Sequence, residues 1–307
     1  MKLRSLIGTK SFYRAVLAIA VPVMIQNGIT NFVGFLDNVM VGQVGTDQMS
    51  GVAIANQLLF IFNLCIFGGL SGAGIFTAQF HGSGDDKGVR DTFRFKLITA
   101  AVICAAGFAI LFLFGEKLIY LYLRGKEDVG DIAATAAYGL DYLKIMSLGL
   151  IPFALTQIYA STLRETGSTV LPMKASVVSV LTNFVLNYML IFGRFGFPAY
   201  GVAGAAAATV ISRFVELAVI AVSTHRHAEI HRFIRGVYRS LKIPGGLVKN
   251  IILRGMPLLI NELLWSVGMA FLVQCYSSRG LSVVAALMYE GVVLLERAAA
   301  GRFRPGK

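Results

Sequence analysis

Charge is scarce in this chain. Asp, Glu, Lys and Arg together supply 14% of its 307 residues, against about a quarter in an ordinary soluble domain. Hydrophobic residues reach 56% and the mean hydropathy is +0.71, which excludes a soluble globular protein. Cysteine is nearly absent: Cys65, Cys104 and Cys275 lie singly in apolar segments without CxxC spacing. That pattern excludes a disulfide framework or paired-thiolate metal site, and all three are expected to be small buried hydrophobes. There is no HExxH motif and no Ser/His/Asp set in the apolar spans, and the glycines of SGAGIF follow no strand. An intramembrane enzyme would need a nucleophile–base pair at membrane depth, and none is present. The net charge of +12 lacks the aromatic-interleaved basic face that nucleic acid requires, so no nucleic-acid partner is expected.

What is present in quantity is long apolar sequence. Seven spans, 13–39, 50–79, 95–123, 133–162, 172–193, 199–223 and 250–277, are separated by short polar breakers such as HGSGDDKG, GKEDVGD and GRFGFP; 281–295 is a weaker eighth. Lengths of about 20 residues or more cross a hydrocarbon core of about 30 Å, so the expected fold is an all-α integral membrane protein. The N-terminus, MKLRSLIGTKSFYRA, superficially resembles a secretion signal. The segment behind it is too long for one, carries Gln26, Asn27 and Asn31, and lacks a small-x-small cleavage site. Lys and Arg crowd the N-terminal tail and the 2–3, 4–5 and 6–7 connections, which places the N-terminus in the cytoplasm. In the 6–7 connection, His227 and His231 would share a face and could hold a metal if helical, but Arg226 and Arg232 beside them favour a solvated basic linker.

The first and seventh spans read as repeats. AVPVMIQNGITNFVGFLDNVMVGQVG aligns with GMPLLINELLWSVGMAFLVQCYSSRG so that Pro22 meets Pro257, Gln26 meets Asn261 and Gly45 meets Gly280 without a gap. A proline inside a helix frees a carbonyl and bends the axis, which makes both prolines candidate hinges. The expected organisation is a six-helix lobe at 1–223, a basic cytoplasmic linker at 224–249 and the start of a second, related lobe at 250–307.

Polar residues inside the spans are patterned. At about 100° per residue, Gln26, Thr30, Val33 and Asp37 share one face of the first span and Asn27, Asn31, Gly34 and Asn38 the adjoining stripe. Asp37 lies 23 residues past Arg14, about 35 Å along a straight helix, in the outer half of the membrane or near its outer interface. Ser176, Ser179, Asn183 and Asn187 repeat the design on the fifth span, and the seventh offers Asn261, Glu262, Trp265 and Ser266. Gly68, Gly72 and GVAGAAAAT (Gly201 to Thr209) would let helices approach closely over these stripes. Intramembrane Asn and Ser commonly serve as interhelical hydrogen-bond glue, Trp265 can fill a core or anchor at an interface, and Arg213–Glu216 and Asp141–Lys144 are expected ion pairs. Asp37 and Glu262 differ because they can titrate: burial disfavours a charged carboxylate and brings protonation within reach of neutral pH.

These residues resemble the multidrug and toxic compound extrusion (MATE) family of secondary transporters. The matching stretches are AVPVMIQN and FLDNVMVGQVG, GLSGAGIFTAQFHGSGD, LRETGSTVLPM, NFVLNYMLIFGRFGFPAYGVAGAAAATVIS and GMPLLINELLWSVG. The resemblance implies two six-helix lobes related by pseudo-twofold symmetry, exporting organic, often cationic, compounds across the cell inner membrane in exchange for H⁺ or Na⁺, with no other cofactor. It implies a coupling site at Asp37, Asn183, Asn187 and Thr209, where Asn187 stands in place of the family's usual second acid. It further implies a substrate cavity or second-lobe polar site among Gln26, Asn27, Thr30, Asn261, Glu262 and Trp265, hinges at Pro22 and Pro257, and a monomer when full length. Twelve spans need about 440 residues, so a chain whose sequence turns into LLERAAAGRFRPGK is expected to be a fragment or truncated frame. A non-transporting six-helix remnant and a flippase of lipid-linked precursors are the alternative readings.

Overall fold

Thr9 starts the first helix: its hydroxyl accepts the otherwise unpaired amide of Phe12, as an N-cap should. The computed structural model describes residues 9–123 and 131–277. The chain runs through α1 (Lys10–Gly42), α2 (Thr46–Gly82), α3 (Asp86–Leu123), α4 (Ile132–Leu148), α5 (Leu150–Glu165), α6 (Val170–Phe192), α7 (Gly201–Arg226) and α8 (Gly245–Ser277). Two short 3₁₀ turns, Arg232–Ile234 and Val237–Arg239, lie between α7 and α8. All regular structure among the described residues is helical.

Six of these helices are long and apolar enough to cross a membrane, and α4 with α5 makes a seventh span bent by 48°. The expected single span 133–162 is therefore broken, and the cause is written in SLGLIP. Pro152 is the third residue of α5 and has no amide with which to reach back to Leu148, so α4 closes at Gly149 and a new helix starts there. Asp131 caps α4 through the amides of Ala133 and Ala134. At the far end of α6, Gly193 takes the left-handed conformation (φ 65°) that stops a helix. The weaker eighth span, 281–295, lies outside the described residues.

α2 is the central helix, touching α1, α3, α4, α5 and α8, while α6 and α7 pair closely and α1 lies mainly along α6. Small residues permit the closest crossings. A Cβ on Gly72 would sit 2.5 Å from the Cα of Gly255, so α2 and α8 meet backbone to backbone. Gly204 similarly seats α7 against the carbonyl of Leu190 on α6.

The 6–7 connection is not simply solvated. Phe233, Ile234 and Val237 are buried, and Arg94 of α3 donates to the carbonyls of Val237 (2.9 Å) and Gly236 (3.0 Å). Arg90 donates to Phe233 O at 3.3 Å. The basic composition hid three apolar residues that dock the connection onto α3 and its neighbours. α7 ends at Arg226, so His227 and His231 share no helical face; His225 instead stacks on Tyr238 at 6.0 Å.

Candidate functional site

The polar stripe of α1 meets the polar stripe of α6. Asn187 donates an amide hydrogen to Asp37 and, in one orientation of the Asn183 amide, another to Asn183 Oδ1 at 3.1 Å. Asn183, one turn earlier, has two serviceable amide orientations. In one it donates to Thr209 Oγ1 at 3.2 Å. In the other, which better satisfies its neighbours, it donates to both carboxylate oxygens of Asp37 (2.9 and 3.3 Å) and accepts from Thr209. Asn183 and Asn187 are buried, with 4% and 1% exposure. The +4 spacing on α6 aims both amides at one carboxylate on α1, and Thr209 closes the cluster from α7.

The cluster is rich in oxygen: a carboxylate, two amide oxygens, a hydroxyl and the Ala205 carbonyl, to which Thr209 gives its one hydrogen at 3.0 Å when Asn183 donates to it. Asn187 Oδ1 is buried without a hydrogen-bond partner. A buried acceptor left unpaired costs about 1–3 kcal/mol, and a proton or a small hard cation among these oxygens would satisfy it. These residues therefore fit H⁺ or Na⁺ chemically. Beside them opens a cavity of about 260 Å³, lined by Asp37, Asn38, Asn56, Tyr142, Thr209 and Arg213 among others.

Side chains that the sequence did not connect with this cluster shape its surround. Tyr142 donates to Asn56 at 3.3 Å. Arg213 donates to the Gly149 carbonyl at 3.2 Å, at the break of the fourth span, and its guanidinium lies 5.0 Å from the Phe153 ring centre. The expected Arg213–Glu216 ion pair is absent: among the described residues the ion pairs are Arg94–Asp91, Lys96–Glu165 and Lys144–Asp141. The i,i+3 spacing permits such a pair, but Arg213 serves the broken helix and Glu216 instead accepts from Ser176 at 2.6 Å. The expected Asp141–Lys144 pair forms, on an exposed surface, at 3.3 Å.

The remaining candidates are placed apart. Gln26 donates to Ser176 at 2.8 Å. Asn27 and Thr30 are exposed, and the Thr30 hydroxyl turns back to the Gln26 carbonyl at 2.9 Å. On α8, Asn261 is exposed, Trp265 is 52% exposed with its ring 6.1 Å from that of Phe60, and Glu262 lies half-buried over Gly68. No hydrogen bond or ion pair among the described residues joins Glu262, Asn261 or Trp265 to the Asp37 cluster. The shared proline register says how α8 is built, not which helix it packs against, and it packs on α2. Cysteine burial is mixed as well: Cys104 is buried, Cys65 intermediate and Cys275 exposed, because an apolar residue in a spanning helix can face lipid.

The described residues thus form a bundle of spanning helices with a carboxylate–amide cluster between α1, α6 and α7. The family model MatE matches residues 22–189, more than half of the chain, and the chain belongs to that family. It is 29% identical over 259 residues to the Thermotoga maritima "Probable multidrug resistance protein NorM", covering 83% of this chain and 53% of that one. The fold superposes on an outward-facing multidrug resistance MATE transporter with a TM-score of 0.71 at 20% identity, over 92% of this chain and 60% of that one. An inward-facing MATE transporter gives 0.64 at 22% identity, over 85% and 56%. The chain thus spans about half the length of the curated relatives it matches.

Proposed function

We infer that this chain carries the ion-coupled lobe of an inner-membrane exporter that exchanges organic, often cationic, compounds for H⁺ or Na⁺ by alternating access. The observation that carries the reading is the convergence of Asp37, Asn183, Asn187 and Thr209 from three helices beside a cavity. The distribution of Lys and Arg supports a cytoplasmic N-terminus. Names of relatives, NorM among them, support multidrug compounds as the substrate class.

The physics of coupling follows from the acceptor. An ionised Asp37 attracts the amide donors of Asn183 and Asn187 through charge-assisted hydrogen bonds, which tie α1 to α6. A proton on Asp37 removes that charge, and a sodium ion competes with the amides for the same oxygens. Either event weakens the tie and biases α1 toward a form bent at Pro22, which reshapes the cavity. Only an ion that binds the two forms with different affinity can drive the exchange.

The test is efflux of a fluorescent organic cation from proteoliposomes under imposed H⁺ or Na⁺ gradients. It compares the 307-residue chain, a version lengthened to a complete second lobe, and Asp37→Asn in each. The expected result is gradient-driven efflux from the lengthened version that drops at least tenfold in Asp37→Asn. Unchanged gradient dependence in that variant would overturn the coupling assignment.

A further inference from the structure

Pro22 has no amide hydrogen, so the carbonyl of Ala18, one turn back, loses its helical donor. A different helix supplies the replacement. Thr169 Oγ1 donates to Ala18 O at 3.4 Å. Thr169 is buried, and although it stands at the N-cap of α6 its side chain caps nothing on that helix. The hydroxyl is committed to α1 instead.

Eight residues further along α1, Gln26 donates to Ser176 at 2.8 Å, and Ser176 donates to Glu216 of α7 at 2.6 Å. Eleven residues beyond Gln26 comes the Asp37–Asn187 contact. The joined positions are 18, 26 and 37 on α1 and 169, 176 and 187 on α6. At 1.5 Å per residue the steps are about 12 and 16 Å on α1 and about 10 and 16 Å on α6. Two helices running the same way are therefore joined by three rungs in register, and Pro22 sits between the lower two.

The middle rung ends on a carboxylate, and that sets its direction. A serine hydroxyl has one hydrogen; because Glu216 takes it, the Ser176 lone pairs are left for the Gln26 amide. The charged neighbours of Glu216 are Arg213 on its own helix and Arg164 on α5, and neither forms an ion pair with it. Glu165, adjacent to Arg164, is held by Lys96.

We propose that Thr169, Ser176 and Glu216 are positioning residues that clamp α1 on both sides of Pro22, so that bending there requires the lower rungs to open. Asp37 then governs the upper rung alone, and the clamp sets how far its release propagates toward the cytoplasmic end. The link to export rests on the ion-coupled reading above; the clamp itself does not.

Hydrogen–deuterium exchange of the full chain in lipid nanodiscs tests it without any transport measurement. In Thr169→Val and Ser176→Ala, peptides covering residues 16–30 should exchange about tenfold faster, as loss of a part-buried hydrogen bond predicts. Thr169→Ser and Ser176→Thr, which keep the hydroxyl, should restore slow exchange, and Glu216→Gln should fall between. Peptides from α2 and α3 should be unchanged throughout. Unaltered exchange at 16–30 in both hydroxyl-deleting variants would overturn the clamp, and so would equal acceleration across α2 and α3, the sign of general loosening. Absence of efflux from every version would remove the export reading and leave the exchange result standing.

Discussion

α1 and α8 carry prolines at aligned positions, Pro22 and Pro257, each followed four residues later by an amide side chain, yet they are held by opposite means. α1 is attached through polar groups: Ala18 O to Thr169, Gln26 to Ser176 and Asp37 to Asn187. α8 is attached mainly through shape, with Gly255 against Gly72 and the Glu262 stem over Gly68, and with the Arg254 guanidinium 5.8 Å from the Phe76 ring centre. The Ser266 hydroxyl of α8 turns inward on its own helix, donating to the Leu263 carbonyl at 3.2 Å. Directional bonds can be released one at a time by adding a proton or ion, whereas a backbone crossing must separate as a whole. The difference teaches that helices of the same register can be held either by separable polar rungs or by a close backbone crossing.

The most damaging way to break this contrast is Gly72→Leu. Its side chain would occupy the place of the Gly255 backbone, 2.5 Å from the first added carbon. Overpacking at a rigid crossing should cost about 3 kcal/mol or more, seen as a lowered unfolding midpoint in detergent, with α8 peptides exchanging fastest. Next comes Asn187→Leu, which removes a buried donor to Asp37. Leaving that acceptor short of a donor should cost about 1–3 kcal/mol and loosen the C-terminal end of α1 in exchange measurements while α8 stays protected.

Glu262→Gln should barely register, within about 0.5 kcal/mol, because the isosteric amide keeps the packing over Gly68 and no ion pair is lost. An effect as large as that of Asn187→Leu would show that α8 is also charge-held. The smallest expected effect is in the connection between the two. Burial, with a lesser contribution from His227, holds the His231 imidazole below its ordinary range. Folding therefore favours the neutral ring, so its contribution is present above about pH 6.5, the unfolded value, and is lost as pH falls below it. Exchange in residues 231–239, corrected for intrinsic rates, should rise slightly between pH 7.5 and 5.5, and His231→Gln should flatten that rise.

Much of the Asp37 cluster was legible in the sequence, for a definite reason. The i,i+4 spacing of Asn183 and Asn187 and the company of Gln26 and Asp37 on α1 are helical facts, and helical geometry is local. The break of the fourth span was not anticipated in the single span 133–162, although its cause, Gly149 followed by Pro152, is local. Nothing local showed that Thr169 would serve Ala18, since the need was created by Pro22, almost 150 positions away. Nor could spacing decide between Arg213–Glu216 and the partners those side chains take, because both arrangements suit an i,i+3 pair.

The sequence by itself determined the solvent, the spans, the polar faces and the family-bearing stretches. Each of these follows from composition or from a period of 3.6 residues, and needs no partner helix. Only the tertiary structure decided which stripe meets which. α6 stands opposite Asp37, a pairing that only the family resemblance had implied, and the basic connection folds onto α3 through Phe233, Ile234 and Val237. Those choices depend on packing between helices distant in sequence, where small residues allow approach and unpaired polar groups seek whichever donor lies within about 3 Å.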